Sequence, residues 1–485
     1  MKSPASTAMA TRGRIEQGAV SNQRLARTVV KMKQSDTYLQ HKDDPTNRAK
    51  QSGDGPSAPL RAGSAAAHAG SVKKPLEGIR VIDLTKIVAG PNATRMLATM
   101  GAEVIRVEWH DQRALDMLRM IRPGVPGGAP DSLNRSGLFN NLNAGKYGIT
   151  LNLSLPQGRD LLKRLIVKAS VLCENYSPEQ MESWELGYPV LSQINPELIY
   201  LQITGMGKSG TYKAYRSVGP TAQALSGLTH MSGLPEPMPP AGWGYSYLNH
   251  STGYYGAIFV LAALMKRRRT GRGCYIDLSQ TETGLMLSGT AVLEAQVTGK
   301  PTERYGNRMP FAQWAPHGAF RCRGTDEWIA IAIQNDEQWA QFVDEMGSPE
   351  WARASRFAHA SGRKTHEDEL ERLVAEFTQG QERYDLMQRL QRRRIAAGPV
   401  QNAADRCERD PQLKHRGYFV SLPQSEIGTW PIEGFPAKFQ NTPLSVGGPP
   451  GRAAPLIGED NDYVYREVLG LKPEEIAALK EDWVI

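Results

Sequence analysis

Residues Tyr247-Leu248-Asn249-His250-Ser251-Thr252-Gly253 stand where a turn-rich run, Pro239-Pro240-Ala241-Gly242-Trp243-Gly244-Tyr245, gives way to an apolar segment. That segment, Tyr254–Met265, reads as a buried helix. A side chain at a loop-to-helix junction meets the positive end of the helix dipole, where a carboxylate is well stabilised. Here the group at the junction is the carboxamide of Asn249. His250 beside it reads either as a general base or as an ordinary structural histidine at a helix start.

Other chemistry-bearing patterns are weaker. A β-α-β unit ending in Glu108 invites a dinucleotide-binding reading, yet the first loop, Lys86-Ile87-Val88-Ala89-Gly90-Pro91, lacks GxGxxG. Pro91 also removes an amide donor that a pyrophosphate would use. Gly205-Met206-Gly207-Lys208-Ser209 imitates the end of a phosphate loop, but Gln202 stands where the earlier glycine belongs, so a plain turn explains it. Lys266–Arg269 complements the dipole at the end of the apolar helix. The sequence holds no HExxH, no GxSxG and no CxxC pair.

The elements that must position these residues begin at Pro75. Gly78–Leu84 reads as a buried strand, Pro91–Met100 as a helix stopped by Gly101, and Ala102–Glu108 as a second strand, which together imply a parallel sheet. The helix Pro156–Ala169, the strand Val171–Asn175, a further helical stretch and the strands Leu198–Thr204 and Cys274–Leu278 continue the pattern. From about residue 295 the texture changes. Gly318–Arg323 and Trp328–Ile333 read as an antiparallel hairpin, followed by helices Asp336–Met346, Thr365–Phe377 (capped by Thr365) and Tyr384–Ile395 (ended by Gly398-Pro399). The expected organisation is a disordered basic extension (1–73), a large α/β domain (74–290), a small α+β domain (291–404), and a return of the chain, with helix Pro473–Lys480, to the large domain (405–485).

Composition sets the remaining bounds. The formal net charge of the 485-residue chain is +8, and residues 1–74 alone hold 13 Lys+Arg against 5 Asp+Glu. The rest is therefore near neutral, which argues against a nucleic-acid partner. Residues 1–73 cannot bury enough apolar surface to offset chain entropy. They read as a plain extension, with a mitochondrial transit peptide as the alternative because Arg12, Arg14, Arg24 and Arg27 have few acidic neighbours. Cys173, Cys274, Cys322 and Cys407 are isolated, which fits a reducing, cytoplasmic setting and offers no metal spacing. No apolar run is long enough for a membrane span.

From Pro75 to the C-terminus the chain resembles the family III CoA-transferases, the group of formyl-CoA and carnitine CoA-transferases. The resemblance is carried by Pro75–Leu84, Ala89-Gly90-Pro91, Gly101–Glu108, Asn143 with Lys146, Glu174-Asn175-Tyr176, Gln223–Gly227, Thr270–Gly273 and Gly398-Pro399-Val400. It implies a Rossmann-like parallel-sheet domain built from both chain ends, an inserted small domain, and two subunits threaded through each other. It further implies acyl-CoA and a carboxylic acid as ligands, with coenzyme A as substrate and no other cofactor or metal. Residues matching the family's CoA contacts are Ile87, Val88, Ala89, Trp109, Asn143, Lys146, Asn175, Tyr176 and Arg216, with Trp109 replacing a residue that is often basic. The family's nucleophile is an aspartate four residues before a glycine at the start of the apolar helix. Asn249 occupies that place, with Gly253 as the glycine.

That substitution bears on the chemistry. CoA transfer between acids proceeds through an ionised carboxylate that attacks the thioester and forms a mixed anhydride with release of CoA thiolate. The thiolate then attacks the enzyme-side carbonyl of the anhydride, releasing the donor acid and leaving an enzyme thioester. A carboxamide nitrogen is neutral and its lone pair is delocalised. The related acyl-CoA racemases use an aspartate at the same place, so Asn249 interrupts that reaction too. Three readings follow. The chain is a transferase using another carboxylate or a deamidated Asn249; or a nucleophile-free partner subunit, homodimeric or paired with an Asp-bearing homologue; or a non-catalytic CoA-thioester-binding protein. The loop aromatics Trp243, Tyr245, Tyr247 and Trp314 point either to an apolar or aromatic acid or to domain packing.

Overall fold

Residues 73–111, 114–121, 124–126, 129, 131–242, 244 and 246–485 are described by the computed structural model. The extension through residue 72, with its readings as disordered chain or transit peptide, lies outside the described residues, as do Trp243 and Tyr245. Six short apolar runs form one sheet: β1 (Arg80–Asp83), β2 (Glu103–Glu108), β3 (Tyr147–Thr150), β4 (Val171–Glu174), β5 (Ile199–Thr204) and β6 (Cys274–Ser279). Every neighbouring pair is parallel and the order is β3-β2-β1-β4-β5-β6. This doubly wound order reverses between β1 and β4, and such a reversal leaves a crevice outside the carboxyl ends of those two strands.

Both faces of the sheet are covered, which is why its central strands are buried along nearly their whole length. One face packs on α1 (Ala89–Thr99) and on the long helix α5 (Tyr247–Thr270) through Ala93, Leu97, Val104, Leu201 and Val260. The other packs on α2 (Pro156–Val167), α3 (Tyr188–Ile194) and the C-terminal tail through Leu161, Leu165, Leu191, Val464, Tyr465 and Ile485. Pro156 opens α2 where its missing N–H costs nothing. Gly101, at φ +100°, ends the α1 turn. Between the β5 and β6 segments also lies α4 (Gly219–Leu225), and α6 (Gln280–Leu287) and α7 (Gly289–Thr298) follow β6.

Two elements of this region are not apparent from local sequence. The edge strand β3 is four residues long and contains Gly148, and it is held by the returning tail. Asp460 accepts from Gly148 N at 2.7 Å, Asn461 accepts from Thr150 N at 2.9 Å, and Tyr465 Oη donates to Thr150 O at 2.6 Å. A Cβ at Gly148 would stand 2.7 Å from Pro455, so the tail needs a glycine there. The second is the hairpin β10 (Phe419–Gln424) and β11 (Gly428–Glu433), whose strands contain Pro423 and Pro431 and form a separate two-stranded sheet.

The inserted part has its own three-stranded antiparallel sheet, β7 (His317–Arg321), β8 (Trp328–Ala332) and β9 (Ala396–Pro399). Helices α8 (Asp336–Glu345), α9 (Glu367–Thr378) and α10 (Arg383–Arg392) close a distinct core around Phe320, Ile329, Trp339, Phe342, Leu370 and Leu386. Two local expectations are corrected. Gly398-Pro399 ends an edge strand, not a helix, because α10 stops at Arg392 and Arg394 turns the chain at φ +57°. Thr365 caps nothing: its hydroxyl donates back to Ser361 O at 2.9 Å within the preceding helix, and α9 starts behind His366. The last helix, α11, spans Pro473–Glu481. Among the described residues no helix is long and apolar enough to cross a membrane, and no His, Cys, Asp and Glu group is arranged to hold a metal. All four cysteines are unpaired.

Candidate active site

The loop Thr85–Val88 joins β1 to α1 at the point where the strand order reverses. It is held in an unusual shape. Ile87 lies at φ +67°, a left-handed conformation that a β-branched residue adopts only under constraint. The constraints are visible on both sides. Asn175, just beyond β4, accepts from Lys86 N at 2.7 Å and donates to Lys86 O at 2.8 Å, tying the two strand ends across the crevice. The carboxylate of Asp116 accepts from Ile87 N at 3.1 Å.

Asp116 belongs to a buried charge network beneath the loop. Arg106 donates to Asp116 at 2.7 Å, to Glu108 at 3.1 Å and to Thr85 O at 3.0 Å, while Arg119 donates to Glu108 at 2.7 Å. Burial alone would raise the Glu108 carboxyl, but Arg119 and Arg106 outweigh it and hold the group well below the usual carboxylate range. Glu108 is thus committed to two guanidiniums and is not available to a ribose. No side chain caps α1 behind Val88.

Beside this loop a cavity of about 470 Å³ opens at the carboxyl ends of β2, β3 and β4, and Trp109, Tyr176 and Trp184 supply aromatic surface to its lining. Tyr176 and Trp184 meet edge-on at 5.4 Å, and the Lys86 ammonium sits 4.9 Å from the centre of the Tyr176 ring. Burial draws Lys86 down to about 8, against the attraction of Asp116. A slot with three aromatic walls and a neighbouring cation suits a planar, anion-bearing ligand.

Asn249 lies at the far end of the same first loop. It is the third residue of α5, which begins seven residues before Tyr254, so it sits within the first turn and not ahead of it. Ser246 enters the helix at φ +61°, and the first turn holds no acidic residue and no side-chain cap. The turn is pressed onto α1: a Cβ at Gly253 would stand 2.6 Å from Ala89 O, and Asn92 Nδ2 donates to His250 O at 3.0 Å. The Asn249 side chain is 8% exposed, and its Oδ1 is buried with no hydrogen-bond partner among the described residues. A buried carbonyl left without a donor costs about 1–3 kcal/mol. His250 Nδ1 is engaged by Ser246 O at 3.0 Å, which fits a structural role.

The structure therefore brings together Ile87, Val88, Ala89, Asn175 and Tyr176, with Trp109 in the lining of the cavity and the turn of α5 that carries Asn249 pressed onto α1. It places Asn143 and Lys146 elsewhere. Both are fully buried, and the Lys146 ammonium donates to Thr94 Oγ1 at 2.7 Å, Asn143 Oδ1 at 2.8 Å, Asp83 at 2.9 Å and Pro91 O at 3.1 Å. These two residues brace α1 from below, with the Lys146 ammonium directed to internal acceptors. Arg216 is exposed on the loop ahead of α4. Tyr247 is exposed, and Trp314 packs near His317 within the inserted part, ring centres 5.9 Å apart. Residues that sequence reasoning did not single out are Trp184, Asp116, Arg106, Arg119 and Gly219. Arg106 lies inside the Gly101–Glu108 stretch, and the roles of all five show only once their side-chain partners are placed.

Comparison with known proteins agrees with the fold. A family profile described as CoA-transferase family III matches residues 76–461. The chain is similar to the succinyl-CoA–L-malate CoA-transferase beta subunit of Chloroflexus aurantiacus, at 33% identity over 85% of this chain and 98% of that protein. It is also similar to the formyl-CoA:oxalate CoA-transferase of Streptomyces coelicolor, at 30% identity over 85% and 99% of the two chains. Among solved structures, a CAIB/BAIF family protein from Brucella suis matches with a TM-score of 0.74 at 29% identity, covering 81% of this chain and 99% of its own.

Proposed function

The chain belongs to CoA-transferase family III, and from that premise we propose that it takes an acyl-CoA and a carboxylic acid into the crevice but is blocked at the covalent step by Asn249. The observation that carries this reading is the position of Asn249, buried in the first turn of α5, which is pressed onto the start of α1 at Ala89 and Asn92, with an oxygen that no group among the described residues satisfies. In the proposed complex the adenine end of CoA enters the aromatic cavity at Trp109 and Tyr176. The Ile87–Ala89 loop and Asn175 then line the path toward residue 249, and Arg216 supplies charge at the rim. Asn143 and Lys146 serve by holding that loop.

A carboxylate at 249 would attack the thioester carbon, expel CoA thiolate and carry the acyl group as an anhydride. A carboxamide has no anionic oxygen to offer, and losing a nucleophile raises the barrier by several kcal/mol. Self-conversion to aspartate is disfavoured by the helix. Succinimide formation requires His250 N to attack the side chain, and that amide is engaged with Ser246 O at 3.0 Å. The test is mass spectrometry after incubation with an acyl-CoA and hydroxylamine. The expected result is no adduct on any residue, and a hydroxamate on some other carboxylate would refute the block.

A second reading is favoured by a separate observation. Helix α7 is apolar yet has no buried residue, and Val292, Leu293 and Val297 are exposed alongside Leu285, Met286 and Leu287 of α6. Such a surface suits a subunit interface, and one similar protein is named as a beta subunit. In this reading the chain pairs with itself or with an Asp-bearing homologue that supplies the missing carboxylate. Co-purification with such a homologue from the native source supports the heteromer, and isolation as a self-paired species supports the homodimer. The unpaired cysteines suit a reducing, cytoplasmic setting.

A further inference from the structure

Gly219 opens α4, and its backbone needs no glycine, since it is not among the residues of positive φ. What the position requires is the absence of a side chain. A Cβ there would stand 2.6 Å from Asn249 Nδ2, 2.8 Å from Oδ1 and 2.9 Å from Cγ. The two terminal atoms of the carboxamide are the nearest to that point, so the end of the group is packed against Gly219. No hydrogen bond from the described residues holds Asn249 Oδ1. The seat is therefore steric: helix geometry restricts χ1 on one side, and Gly219 limits the end of the carboxamide on the other. The two helices are clamped by a small apolar cluster of Ala222, Leu228 and Leu248, the last of these next to Asn249 itself.

We propose that Gly219 is a positioning residue for the side chain at 249, setting the plane in which its terminal atoms face the substrate. The inference rests on the reading that residue 249 faces the thioester, and adds to it the reason the side chain points where it does. The seat holds the group without spending its oxygen on an internal donor, which is what a nucleophile or a substrate acceptor at this place needs. A methyl group at 219 forces residue 249 out of that plane, and displacement of a reacting group by about 1 Å costs roughly a hundredfold in rate.

Two measurements test this. In protein labelled with 15N-asparagine, the side-chain amide pair of Asn249, assigned by its loss in Asn249→Asp, shifts in Gly219→Ala. An unchanged pair overturns the proposal. In the Asn249→Asp background, adding Gly219→Ala lowers kcat for CoA transfer by about a hundredfold while KM for the acyl-CoA holds. Retained kcat overturns it, and so does a rise in KM alone. If Asn249→Asp is itself inactive, the functional reading fails and the amide pair alone decides the role of Gly219.

Discussion

Replacing Lys146 by methionine separates a ligand contact from a structural brace. The ammonium is fully buried, and its removal leaves Asp83 with Arg106 as the remaining cation, at 3.7 Å, and deprives Pro91 O and Asn143 Oδ1 of their donor. Breaking a buried pair on one side costs about 3–5 kcal/mol. Asp83 keeps bonds from Thr85 N at 2.9 Å and Thr94 Oγ1 at 2.8 Å, so the lower end, about 3 kcal/mol, applies. That corresponds to roughly a 150-fold rise in the local opening equilibrium. Hydrogen exchange at the β1 and β4 amides reads it directly. The double variant Asp83→Asn with Lys146→Met should regain part of the protection, because no uncompensated charge remains. CoA affinity of the folded variant should stay within about threefold. Lost CoA affinity with unchanged exchange would show that the ammonium serves a ligand and that the bracing argument is wrong.

Four further outcomes follow from the same geometry. Burial raises Glu174 to about 8, outweighing the donor Tyr176 N at 2.8 Å and the attraction of Lys208. The unfolded chain releases this proton near 4.5, so the stabilisation is complete below that pH and is lost as pH rises through about 8; Glu174→Gln should flatten that slope in pH-dependent denaturation, and an equal slope in both proteins contradicts the assignment. Asn175→Ala removes both bonds to Lys86 and should weaken acyl-CoA binding roughly tenfold by calorimetry, whereas intact affinity would mean the loop holds itself. Trp109→Ala and Trp184→Ala should each cost about 1–3 kcal/mol of CoA affinity, as for a stacked base, and an effect below about twofold would move the adenine elsewhere. Changing Leu293 and Val297 to aspartate should convert an assembled species to monomer in sedimentation, and unaltered assembly would remove α7 from the interface.

Strands β1, β2, β4, β5 and β6 were legible because each carries a short cluster of β-branched, aliphatic or aromatic residues bounded by turn or helix signals. The β3 edge was not, because its stability comes from Asp460, Asn461 and Tyr465 more than 300 residues away. Prolines at 423 and 431 hid the second hairpin, since they are tolerated only in a sheet with two edges. Sequence and structure agree on position for the Ile87–Ala89 loop, Asn175 and Tyr176, which lie at the crevice, and for Asn249, which lies at the start of α5. The candidate site was not legible where the direction of a side chain decides the role. Lys146 matches a ligand-binding pattern in sequence, yet its ammonium turns inward to Asp83 across 63 positions. Gly219 acts through an atom it lacks, which only the placement of α4 against α5 reveals.

The most direct measurement is CoA transfer from an acyl-CoA to a carboxylic acid, assayed side by side for the parent chain and Asn249→Asp, each purified without any homologue. The expected result is turnover in the variant and a rate lower by at least about a thousandfold in the parent, the order expected for a missing nucleophile. Equal rates in the two proteins would show that residue 249 does not face the thioester carbon and would remove the proposed block.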